Sequence, residues 1–243
     1  MSLTLRTISR EQHLAYIQSL PEASHMQLPA WADVKSEWRS DNLGWYDDSG
    51  RLVGVGLVLY RQLPKIKRYL AYLPEGPVIN WYAPNLEEWL RPMLAHLKQK
   101  GAFSVKMGPP VIIRRWDAGA IKSGIQNPDV KRLRDVEATY IEPRAFEVSD
   151  RLRRMGWQQG DDGGAGFGDV QPRFVFQVPL ENRSLEDVHK GFNQLWRRNI
   201  KKAEKAGVEV IQGGYEHLGE WQRRRPRPRA SRGTAACAGR PRC

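Results

Sequence analysis

The first 222 residues contain no cysteine; the only two, Cys237 and Cys243, fall at the far end of the 243-residue chain. That excludes a disulfide-stapled fold, a thiolate zinc site and a cysteine nucleophile from the body of the protein. Long apolar runs are also lacking. The longest, residues 52–60, falls well short of the ~20 residues that span a bilayer, and residues 1–20 mix polar with apolar positions without a secretory core. A cytoplasmic protein without a transmembrane segment is expected. The third absence is local: residues 223–243 hold eight arginines, no Asp or Glu, and no Ile, Leu, Val or Phe. The net charge of +12 therefore divides into +8 for this tail and +4 for everything before it. A mildly basic body suits a polyanionic partner but does not mark a dedicated nucleic-acid binder.

The tail cannot bury a core. It can be read as an arginine-rich arm or as a disordered extension, but its residue types are those of GC-rich codons and they begin abruptly inside a starting helix. Out-of-frame translation of a GC-rich gene is the preferred expectation.

What is present reads as alternating helices and strands. Ser9 and Gln12 form a capping box ahead of Leu14, Ile17 and Leu20. A second helix is expected from Pro29, with Trp31, Val34 and Trp38 on one face and Lys35 beside that stripe. Residues 44–46 and 52–60, joined by Asp47-Asp48-Ser49-Gly50, read as a hairpin, and residues 68–73 as a third strand. Asn85 caps a helix carrying Leu86, Trp89, Leu90, Met93 and Leu97, and residues 102–107 form the next strand. Further expectations are helices at 127–136, 146–155 and 215–221, strands at 173–178 and 208–211, and one long helix opened by Ser184 and closed by Gly207. This order gives a mixed α/β fold, with a first domain closing near Pro109-Pro110.

Few motifs carry chemistry by themselves. The run Gly163-Gly164-Ala165-Gly166-Phe167-Gly168 precedes a strand instead of opening a helix, so it reads as a connection and not a phosphate loop. The five histidines show no metal-ligand spacing and no Ser-His-Asp grouping, so no metal is expected. Arg197, Arg198, Lys201 and Lys202 line the long helix with only Glu204 interrupting; this is either a solvated face or a contact for a polyphosphate or RNA backbone.

Three stretches together resemble the FemABX peptidyltransferases: residues 27–38 (QLPAWADVKSEW), 69–78 (YLAYLPEGPV) and 195–208 (LWRRNIKKAEKAGV). The resemblance implies two acetyltransferase-like (GNAT-type) subdomains, at residues 1–110 and 111–222, with the second incomplete and 223–243 outside both. It implies an aminoacyltransferase that moves Gly, Ala or Ser from aminoacyl-tRNA to the stem peptide of a peptidoglycan precursor, either lipid II or UDP-MurNAc-pentapeptide. The amino acid donor is a co-substrate, no cofactor is implied, and a lipid-linked acceptor would bring the enzyme to the inner face of the membrane. Lys35 and Trp38, with Tyr72 and Gly76, become the expected precursor-binding residues, and Arg197, Arg198, Lys201 and Lys202 the tRNA or phosphate contacts. The catalytic groups of the family lie in the later half of the second subdomain, so impaired activity is expected of this chain. The rivals are an acetyl-CoA-dependent N-acetyltransferase, which needs a pyrophosphate loop that Arg153-Arg154-Met155-Gly156-Trp157-Gln158 does not supply, and a non-enzymatic RNA-binding module.

Overall fold

The computed structural model describes residues 3–160 and 174–210. They belong to two compact units, one ending at Val175 and one beginning at Phe176. The first is built on a five-stranded sheet with the order β1 (Thr4–Thr7), β2 (Arg39–Tyr46), β3 (Leu52–Gln62), β4 (Tyr69–Leu73) and β5 (Ala102–Met107). Strands β1 to β4 run antiparallel, and β5 lies parallel to β4. A parallel neighbour needs a crossover, which α3 (Leu86–Gln99) provides. The result is the expected mixed α/β, acetyltransferase-like arrangement.

The sheet is covered on both faces, which explains why the sequence of β3 is apolar without alternation. Val58 and Tyr60 join Trp45, Leu73 and the α3 residues Trp89, Leu90, Met93 and Leu97 in the main core. Val55 faces the other way and packs with Ile8 and Ile17, while Leu57 and Leu59 pack with Tyr72. Trp45 buries its ring and still donates its indole N–H to the Trp89 carbonyl at 2.7 Å. In the hairpin turn, Asp47 accepts from the backbone N–H groups of Ser49 and Arg51, and Gly50 takes the positive φ of 77°. These bonds, led by that from the Ser49 hydroxyl, hold the Asp47 carboxyl below the usual carboxylate range.

α1 (Arg10–Gln18) starts at the expected capping box, with Ser9 and Gln12 each accepting from the other's backbone. Asn85 stands at the start of α3, but its amide donates to Glu88 at 2.7 Å and accepts no helix N–H. The helix expected from Pro29 is shorter than its apolar spacing suggested: α2 is only Trp31–Val34, and Val34 is exposed. Trp38 reaches the sheet through the turn that follows, where its N–H bonds the Lys35 carbonyl at 2.8 Å.

Beyond β5 the helix expected at 127–136 is absent. α4 occupies Ala118–Gln126 instead, capped by Asp117, and only Leu133–Asp135 turn as a short 3-10 helix. A two-stranded ribbon, β6 (Arg114–Arg115) with β7 (Tyr140–Ile141), precedes α5 (Pro143–Arg154). Val148 of α5 lies in the main core, with Leu152, Met155 and Trp157 packed against it. The first compact unit thus continues past the Pro109-Pro110 boundary expected from sequence, because these residues cap the α3 side of the sheet.

In the second unit the expected long helix is two: α6 (Leu185–Gly191) and α7 (Gln194–Lys205). The break falls at Gly191-Phe192-Asn193, where Phe192 is extended and the Asn193 side chain accepts from the Trp196 N–H at 2.9 Å. Residues 174–178 and 208–210 are not strands; no neighbouring strand pairs with them among the described residues. None of the described residues of this unit is buried: Leu185 and Leu195 are 86 % and 62 % exposed, while Val188, Phe192 and Ile200 are half-buried. The glycine run 163–168, the helix expected at 215–221 and the tail lie outside the described residues.

Candidate functional site

On the sheet face opposite α3, residues 24–38 and the turn 74–77 are clasped together by side chains. β4 pairs with β3 only from Leu59↔Tyr72 to Gln62↔Tyr69 and turns away at Pro74. The Leu57 N–H is therefore left without a strand partner on that side. The carboxamide of Gln27, fully buried, takes the strand's place: its Oε1 accepts from Leu57 N–H at 2.9 Å and its Nε2 donates to the Pro74 carbonyl at 2.5 Å. Ser24 adds a second tie, donating its hydroxyl to Glu75, which sits in the left-handed region at φ 47°. Such a conformation costs a non-glycine residue about 1 kcal/mol or more and persists only where its surroundings hold it.

Gly76 closes this clasp. A Cβ there would lie 2.4 Å from Gln27 Cδ and 2.5 Å from Nε2, so the glycine is required by Gln27 and not by an open cleft.

Next to the clasp, Trp31, Ala32 and Trp38 pack on Leu57, Leu59 and Tyr72. Trp38 meets Tyr72 edge-on, with ring centroids 6.4 Å apart. Two cations rim this aromatic floor: Lys35 Nζ lies 5.9 Å from the Trp31 ring centre, and the Arg61 guanidinium 5.7 Å from that of Trp38. His25 meets the far edge of Trp31 at 5.5 Å. The floor offers apolar ring surface to a planar or sugar ring, and Lys35 and Arg61 at its rim offer positive charge to an anionic group. Among the described residues no cluster of His, Cys, Asp or Glu is arranged to hold a metal ion.

The structure thus gathers Lys35, Trp38 and Tyr72 on one face, with Gly76 placed behind them. The other predicted contacts, Arg197, Arg198, Lys201 and Lys202, lie on α7, and none makes an ion pair among the described residues. The Trp196 ring lies against that of Phe192, tilted by 44° with centroids 5.8 Å apart. Arg61 and the clasp residues Ser24 and Glu75 were not singled out from the sequence, and Gln27 entered only as the first letter of a motif. Their significance depends on segments 24–27 and 74–77 meeting in space, which no local pattern records.

A sheet of this order, antiparallel from β1 to β4 with β5 added parallel through a crossover helix, is that of an acetyltransferase-like α/β protein. The profile of the FemAB family matches residues 8–223, and the chain belongs to that family. The match stops where the arginine-rich segment begins. The chain is 25 % identical over 222 residues to a lipid II:glycine glycyltransferase of Staphylococcus epidermidis and 23 % identical over 222 residues to that of Staphylococcus aureus. In both cases 87 % of this chain is covered but only 44 % of the relative, so the chain spans less than half the length of these curated proteins. The crystal structure of FemX superposes with a TM-score of 0.65 at 20 % identity, covering 90 % of this chain and 48 % of FemX. That likeness shows a shared fold.

Proposed function

We propose that this chain provides the precursor-recognition part of an aminoacyltransferase that adds an amino acid from aminoacyl-tRNA to the stem peptide of a peptidoglycan precursor. The observation that carries the reading is the FemAB match across residues 8–223, whose relatives include lipid II:glycine glycyltransferases. The aromatic floor is consistent with it. Lipid II and UDP-MurNAc-pentapeptide both join a diphosphate to a sugar, and Lys35 beside Trp31 and Trp38 offers a cation for the first and ring faces for the second. Tyr72 supports Trp38 from below, and Gly76 acts at one remove by fixing Gln27.

In this reading the sheet within residues 1–110 is the heart of a first acetyltransferase-like subdomain that α5 completes, and α7 belongs to a second, presenting Arg197, Arg198, Lys201 and Lys202 to the phosphates of the tRNA. No cofactor enters the scheme; the activated ester of the aminoacyl-tRNA supplies the driving force. The reaction is cytoplasmic, and a lipid-linked acceptor places it at the inner membrane surface. No helix among the described residues is long and apolar enough to cross that membrane.

The direct test is transfer of radiolabelled amino acid from aminoacyl-tRNA to purified lipid II and to UDP-MurNAc-pentapeptide, run beside equilibrium binding of each precursor. Binding that depends on the floor supports the proposal; failure of both precursors to bind would remove it. Lys35→Met should weaken precursor binding about thirtyfold, the loss of one charge-assisted contact worth about 2 kcal/mol, while thermal melting stays unchanged. On α7, Arg198→Ala with Lys202→Ala should lower the slope of log affinity for tRNA against log salt by about 1 to 2, as expected when two phosphate contacts go. An unchanged slope would take α7 out of the RNA interface.

A further inference from the structure

Rings and guanidinium groups alternate in a row that runs from the β6–β7 ribbon to the start of α5 and to Tyr82, ahead of α3. Arg115 lies over the Tyr140 ring, 5.9 Å from its centre, and Arg144 over the Tyr82 ring at 4.6 Å. Glu142 joins the two pairs: it accepts from the Tyr140 hydroxyl at 2.8 Å and from Arg144 Nε at 3.2 Å. The row is exposed, Tyr82 at 36 % and Tyr140 at 47 %, and contributes nothing to the main core.

It is also held rigidly. The Thr139 hydroxyl donates to the Arg115 carbonyl at 3.0 Å and accepts from Asp117 N–H at 3.1 Å, and the Trp116 indole donates to the Val136 carbonyl at 3.0 Å. Tyr82 is flanked by buried Trp81 and Ala83, and α5 is tied to the same segment by Arg151, which donates to the Ala83 carbonyl at 2.6 Å. Exposed tyrosines on so fixed a frame need an explanation other than packing. Arg115 has no acidic partner among the described residues, and residues 3–160 hold 23 Lys and Arg against 17 Asp and Glu.

We infer that this row binds a single-stranded stretch of RNA, with Tyr140 and Tyr82 as stacking platforms and Arg115 and Arg144 as phosphate contacts. An arginine stacked on a ring can still aim in-plane N–H donors at phosphate oxygens, all of them for Arg115 and the terminal nitrogens for Arg144, whose Nε is held by Glu142, and a tyrosine beside it offers a flat face to any base. An acidic membrane surface would need only the cations and would leave the ring spacing without a use. The inference rests on the proposed aminoacyl-tRNA reading, whose co-substrate ends in an unpaired strand, and it gives that RNA a contact on the first unit that is separate from both the aromatic floor and α7.

The test is fluorescence anisotropy with the full chain and three probes: a tRNA acceptor minihelix with its 3′ overhang, the same minihelix with an abasic overhang, and anionic phospholipid vesicles. Tyr140→Ala should weaken the intact minihelix about tenfold, the value of one base stack, and leave the abasic probe nearly unaffected. Tyr140→Phe, which keeps the ring and cannot disturb packing, should bind as the parent does. Arg115→Gln should weaken both RNA probes and lower the salt slope by about one. Equal loss of intact and abasic probes on Tyr140→Ala, or equal binding by parent and all variants, would overturn the row as an RNA contact while leaving the enzyme reading standing. Binding of vesicles but of neither RNA would overturn both.

Discussion

Gly76→Ala is expected to destabilise the first unit by about 3 kcal/mol and to abolish most precursor binding with it. The added methyl would stand 2.4 Å from Gln27 Cδ, and the carboxamide cannot swing aside without releasing Leu57 N–H or the Pro74 carbonyl. The estimate combines an overpacked core position with one buried backbone group left unpaired, each worth 1–3 kcal/mol. Gln27→Ala, which orphans both backbone groups, should cost about 4 kcal/mol. The two losses should not add. With the amide gone, an alanine at 76 has room, so the double variant should resemble Gln27→Ala alone, with a coupling of about 3 kcal/mol in a urea-denaturation cycle. Additive losses would mean that Gly76 is required by something other than Gln27, and the clasp would no longer explain it.

Acid should weaken this protein through a single histidine. His13 is fully buried between α1 and β2, and neither ring nitrogen completes a hydrogen bond among the described residues. Burial pushes its pKa down to about 4 from 6.5; Asn42 and the Gln27 backbone lie close enough to offset only part of that. The unfolded chain takes up a proton near pH 6.5 and the folded one not until about pH 4, so between those values the unfolded state binds more protons and stability falls as pH drops. The gap corresponds to roughly 3 kcal/mol, present in full above pH 7 and nearly all lost by pH 4. Urea denaturation at pH 7.5 and pH 4.5, with His13→Leu beside the parent, isolates this contribution, because exposed carboxylates titrate alike in both. Parallel pH profiles would show that His13 is not the acid-sensitive group.

Legibility in the sequence followed how local the cause was. The capping box at Ser9, the turn at Asp47 to Gly50, the α3 stripe and the strand at 102–107 were readable because neighbours a few residues apart determine them. Trp31, Val34 and Trp38 suggested a helix longer than α2 because apolar spacing cannot distinguish a helical face from a turn that delivers the same tryptophan to the same sheet. The helix break at Asn193 was written in a glycine and a capping side chain, but the continuous apolar pattern across it dominated the reading. Residues 173–178 are rich in Val and Phe, as a strand should be, yet strand formation needs a partner, and none pairs with the described part of this stretch. Of the candidate site, Lys35 and Trp38 came from a family resemblance, whereas Arg61 and the role of Gln27 depended on which distant segments touch.

The packing of α5 onto the main core bears on how the chain can be made and divided. Val148, Leu152, Met155 and Trp157 cover a surface assembled from residues between 43 and 97. A nascent chain that has emerged only as far as Pro109-Pro110 would display that surface bare, so the first unit can close only after residue 157 has cleared the ribosome. An expression boundary drawn at 110 would yield a sticky, aggregating product, whereas one drawn after 160 retains the lid of the core.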